Sequence, residues 1–112
     1  MIVQWEEIAG HASTYNLTLD DWLNDLDLRD LIAREMGKVS AVDRDALRSR
    51  LESIDQAFRA ATRASNSSLW GRTSGADHDA ARQWWYFRYP ISPGDAMRDD
   101  LETVGILSRR RK

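Results

Sequence analysis

The sequence predicts a mainly α-helical domain with a long central helix and one short aromatic-rich strand or extended segment. Three observations carry that expectation. Two apolar-periodic segments each open on a helix-capping residue, Thr18 and Ser40. The second continues as a long stripe with steps of four and three, the repeat of one helix face. A run of bulky aromatics then closes on Pro90, which favours extended backbone before it.

The first segment, residues 2–10, reads as a short helix or an extended lead-in, with Trp5 and Ile8 as buried contacts and Gly10 closing it. If it is extended, Ile2–Trp5 can pair with the aromatic run in a minimal sheet. The next start is sharper. Thr18 at the N-cap and Asp21 three residues later form an acidic variant of the capping box. Leu19, Trp22, Leu23 and Leu26 follow at helical spacing, then Leu28, Leu31, Ile32 and Met36 up to Gly37, a C-cap candidate. These form one helix, or two with a bend near Asp27.

Ser40 and Asp43 repeat the capping logic. From Ala41 to about Ala64 the apolar stripe is Leu47, Leu51, Ile54, Phe58 and Ala61, with Arg44, Arg48, Glu52, Arg59 and Arg63 outward. Glu52 follows Arg48 by four residues, so a surface pair is expected. Residues 65–79 are small, polar and glycine-rich, as in a long loop. In Gln83–Pro90 five of eight residues are aromatic. As a strand it would put Trp84, Tyr86 and Arg88 on one face and Trp85, Phe87 and Tyr89 on the other. Ser92 and Pro93 then open a last helix running to about Val104, with Ser92 at the N-cap and Pro93 at N1. Residues 1–107 form one domain and 108–112 a basic tail; 112 residues leave little room for a second core.

Composition narrows the function. Apolar residues make up 42% and charged residues 30%, a globular balance. With no cysteine there is no disulfide, thiolate metal site or cysteine nucleophile. The opening residues show neither the basic nor the apolar stretch of a signal peptide, and no apolar run reaches the roughly 20 residues of a membrane span. A cytoplasmic location is expected.

His11 and His78 are too few for a typical zinc site, and the Asp77-His78-Asp79 run reads as a loop. Asp20, Asp21, Asp25, Asp27 and Asp30 lack the central glycine and terminal glutamate of a calcium loop. No nucleophile elbow, Walker motif or dinucleotide glycine pattern occurs. No cofactor, metal or catalytic residue is assigned.

Charge and aromatic mass remain. Residues 1–30 hold seven acids against Arg29, a local charge of −6, while the whole chain carries −2. Asp20, Asp21, Asp25 and Asp27 are candidates for attracting a basic partner; the plain alternative is that they favour helix N-termini. Asp55 interrupts the apolar stripe and needs a partner; Arg88 is the expected one, since a guanidinium pairs with carboxylate while stacking on tryptophan. Asp55, Arg59 and Arg88, with Trp70, Trp84 and Trp85, are the remaining candidate binding residues. Exposed, the aromatics would anchor a partner; buried, they are core. Nucleic acid is disfavoured because the only basic cluster is terminal.

The stretches Leu17–Leu26, Asp55–Thr62 and Trp84–Pro90 resemble small bacterial proteins of unassigned function, many from actinobacteria and proteobacteria. The resemblance implies no activity. It implies that Asp55, Phe58, Arg59 and Thr62 meet the Trp84–Pro90 segment. The expected function is non-enzymatic protein binding, such as an immunity protein that occludes a basic toxin domain. The alternative is a small-molecule binder or enzyme with a pocket between the long helix and the aromatic strand, containing Asp55 and Arg88.

Overall fold

The computed structural model describes residues 2–69 and 81–108. Trp70, His78 and the basic residues after Ser108 lie outside the described residues. Helix α1 spans Ile2–His11 and continues into a 3-10 turn, Ala12–Thr14. Helix α2 spans Leu19–Met36 and α3 spans Ala41–Ala60. Strand β1, Thr62–Ala64, is followed by a 3-10 turn at Trp84–Phe87, strand β2 at Arg88–Pro90, and helix α4 at Asp95–Thr103. The protein is mainly helical with a two-stranded antiparallel sheet.

The predicted starts of α2 and α3 form as expected. Thr18 Oγ1 accepts from Asp21 N, and Asp21 Oδ2 accepts from Thr18 N, each at 3.2 Å. Ser40 Oγ accepts from Asp43 N at 3.3 Å. These contacts satisfy amide groups that no helical carbonyl reaches. No bend interrupts α2 at Asp27, because its two apolar patterns merge into one wide stripe: Leu19, Trp22, Leu23, Leu26 and Ile32 are all buried. Gly37 does cap α2, in right-handed rather than left-handed conformation. The carbonyls there are met by Arg44 of α3, whose guanidinium donates to Met36 O and Val39 O, both at 3.1 Å.

Three expectations are corrected. The long helix stops at Ala60 rather than near Ala64. Thr62 turns its hydroxyl back onto Phe58 O at 2.9 Å, and the chain leaves as β1. The sheet partner of the aromatic segment is therefore β1, pairing Thr62 with Pro90 and Ala64 with Arg88. Ile2–Trp5 is helical and unavailable. The aromatic run itself is extended only over Arg88–Pro90. A 3-10 turn advances about 120° per residue where a strand alternates faces. It turns both Trp85 (2% exposed) and Tyr86 (3%) into the core, where a strand would point them to opposite faces. Ser65 N and Leu69 N hold the turn by donating to Phe87 O and Tyr86 O.

Helix α4 starts two residues later than Ser92 and Pro93 suggest, with Gly94 at the N-cap. The reason is a close approach: Gly94 N donates to Tyr15 O at 2.8 Å, and a Cβ at Gly94 would sit 2.7 Å from Asn16 Cβ. Its other end closes on Gly105 at φ +83°, with Ile106 N donating to Leu101 O and Gly105 N to Glu102 O. That is the left-handed glycine cap that satisfies the last carbonyls of a helix.

The elements meet on Phe58. Its ring centroid lies 4.7 Å from Trp5, 5.6 Å from Trp22 and 5.9 Å from Trp84. Trp5, Trp22, Phe58, Leu26, Met97 and Leu101 are fully buried, so α1, α2, α3 and α4 share one apolar core. No helix among the described residues is long and apolar enough to cross a membrane.

Candidate binding surface and the buried polar centre

The polar centre is built on Asp55. Its carboxylate accepts from Arg29 Nε at 3.1 Å, Arg29 Nη2 at 2.9 Å and Trp5 Nε1 at 2.9 Å. The Arg29 and Asp55 side chains are 9% and 15% exposed. The guanidinium also lies 4.5 Å from the Trp85 ring centre, within cation–π range. The stacked, bidentate arginine expected beside Asp55 is thus present, but it is Arg29 and not Arg88. Arg29 follows Trp22 and Leu26 by seven and three residues, on the buried row of α2. That spacing is the signal that could have found it. Both carboxylate oxygens of Asp55 are engaged, which ties α1, α2 and α3 together.

Arg88 serves the sheet instead. It donates to Thr62 Oγ1 at 2.7 Å, Thr62 O at 3.0 Å and Arg59 O at 3.2 Å. Burial and the nearby Arg59 charge push its pKa down. Arg59 lies flat over Trp84, 4.1 Å from the ring centre. Phe58, Arg59 and Thr62 meet the Trp84–Pro90 segment, through Phe58–Trp84, Arg59–Trp84 and Thr62–Arg88, whereas Asp55 bonds to Trp5 and Arg29 instead. Trp84 is half-buried and Trp85 buried, so neither offers a free indole face.

The four candidate aspartates divide by environment. Asp25 Oδ2 accepts from Tyr15 OH at 2.8 Å, and Asp27 Oδ1 accepts from Tyr86 OH at 2.6 Å. Burial raises the Asp25 pKa, opposed by the Tyr15 hydrogen bond and helped by the Asp21 charge. Both tyrosines are pushed up, first by burial and then by their aspartates. Asp20 and Asp21 are exposed on the first turn of α2. There α4 adds to them: Asp100 Oδ2 accepts from Leu19 N at 2.9 Å, which brings exposed Asp99, the preceding residue, to the same end of the molecule. Sequence reading missed this second acidic segment, because nothing local says that residues 81 positions apart will touch.

An open cleft of about 450 Å³ lies between α2 and α3, lined by Ala33, Met36 and Leu51 with Arg44, Arg48 and Glu52 on α3. Asp55 and Arg29 also reach it, but Arg88 does not. Arg48 and Glu52 are exposed and make no pair with each other or with any described residue. Arginine four residues before glutamate is the weaker order for a helical pair, which explains the missing contact. No group of three metal-ligating side chains occurs among the described residues. No family model, curated protein or solved structure matches the chain.

Proposed function

We propose that this protein is a non-enzymatic protein-binding domain, specifically a small cytoplasmic inhibitor of the immunity type that occludes a basic toxin domain. One observation supports the reading above others: two acidic segments far apart in sequence, the first turn of α2 and helix α4, are joined at one end of the molecule by the Asp100–Leu19 contact. Asp20, Asp21 and Asp99 there are exposed. Such a surface accelerates encounter with a basic partner and rejects acidic ones. Leu17, 53% exposed just before the cap of α2, supplies an apolar contact beside these acids.

The steering residues are narrower than the sequence suggests. Asp25 and Asp27 hold tyrosines and Asp21 caps α2, so reversing them would mix folding with binding. Asp20 and Asp99 are the clean probes. Affinity capture from the native host compares the wild type with Asp20→Lys/Asp99→Lys at low and moderate salt. A single basic protein, retained by the wild type and lost from the variant, is expected. Identical retention by both, or no basic protein at either salt, contradicts the proposal.

A further inference from the structure

Helix α3 is amphipathic throughout, yet the core covers only part of it. Leu51, Ile54 and Phe58 are buried, whereas no residue from 41 to 50 is. Leu47, on the same stripe, and Met36, across the cleft on α2, are only half-buried. Together the last turns of α2 and the first half of α3 form an arm whose apolar floor, Ala33, Met36 and Leu51, opens to solvent.

The rim of that cleft carries one unpaired charge of each sign, Arg48 and Glu52, one turn apart. Arg44 is already engaged with carbonyls at the end of α2. An acidic segment laid in the cleft would satisfy Arg48 and oppose Glu52; a basic one would do the reverse. A second copy of this chain satisfies both. We propose that the arm is a self-association surface, with α3 packing antiparallel on α3 of a second copy about a two-fold axis at residue 50. Such an axis brings each residue opposite the one equally far on the other side of position 50. Arg48 of each copy then meets Glu52 of the other, and the two apolar floors close on each other. A two-fold interface must be self-complementary in this way. The surface is separate from the acidic end, so the inference stands apart from the inhibitor reading.

Sedimentation velocity of the full chain over a concentration series tests it, using Arg48→Glu, Glu52→Arg and the double exchange. Both positions are exposed, so circular dichroism should be unchanged in every variant. The wild type is expected to dimerise with rising concentration. Each single variant puts like charges together twice and should weaken the dimer by roughly tenfold or more. The double exchange should restore it, and mixing the two single variants should give a heterodimer. A wild type that stays monomeric throughout overturns the proposal. So does a dimer indifferent to both single changes, or a double exchange that fails to recover association.

Discussion

Acids in two regions of this protein are used in opposite ways. At the Asp55 centre the acid is shut between α1, α2 and α3, with Arg29 and Trp5 satisfying it and Trp85 under the guanidinium. At the acidic end, Asp20 and Asp99 face solvent. The difference lies in neighbours rather than in residue type. A carboxylate on an apolar row must find a fixed cation or lose the helix contact, while one on a capping turn can remain in water. Charge inside this fold is architecture, whereas Asp20 and Asp99 at its acidic end stay in water.

The largest effect expected from breaking that contrast is at the centre. Asp55→Ala leaves Arg29 buried without its counter-ion and Trp5 Nε1 without an acceptor, and should cost about 3–5 kcal/mol in urea unfolding. Arg29→Met should cost less than Asp55→Ala, because the partly exposed carboxylate keeps the Trp5 donor and some water. Equal and small losses for both would show that the centre does not hold the helices together.

Next in size is Tyr15→Phe, which removes the hydroxyl from Asp25 and should cost about 1 kcal/mol. Its partner gives a pH signature. The Asp25 pKa is raised in the folded state, so folding favours its protonated form. The associated stability is present at acid pH and lost as pH rises through the folded-state pKa. Asp25→Asn, which keeps an acceptor for Tyr15, should therefore gain stability relative to the wild type at pH 7 and lose that advantage below pH about 4. Urea unfolding at the two pH values checks the sign; an advantage that grows on acidification would contradict it. Smallest of all is Asp20→Asn, which should move stability by no more than about 0.5 kcal/mol. A larger loss would place Asp20 with the architectural acids.

Local rules were readable in the sequence because their causes are local. Thr18 with Asp21 and Ser40 with Asp43 announce helix starts through groups three residues apart, and the Leu51, Ile54, Phe58 stripe announces a buried face. What sequence reading missed was decided by distant contacts. Arg88 suits Asp55 as well as Arg29 does by residue type alone, and it is the place of Arg29 on the buried row of α2 that brings it to Asp55. The aromatic run has the composition of a strand, but preference for strands is largely preference for a packed surface. Here the surface was best filled by turning Trp85 and Tyr86 inward together. Ser92 and Pro93 place the helix start two residues early, because the close approach of Asn16 to Gly94 is not visible in the local sequence. The acidic end was half visible for the same reason: Asp20 and Asp21 stand together in sequence, while Asp99 and Asp100 arrive with α4.

The claim that exposed acids act on a partner while buried ones serve the fold is tested most directly by association kinetics. The basic protein recovered by capture would be measured against the wild type and against Asp20→Asn/Asp99→Asn at low salt. The account predicts an association rate constant several-fold lower for the variant, a dissociation rate close to the wild type's, and a gap that closes as salt rises. Equal association rates at every salt concentration would contradict it.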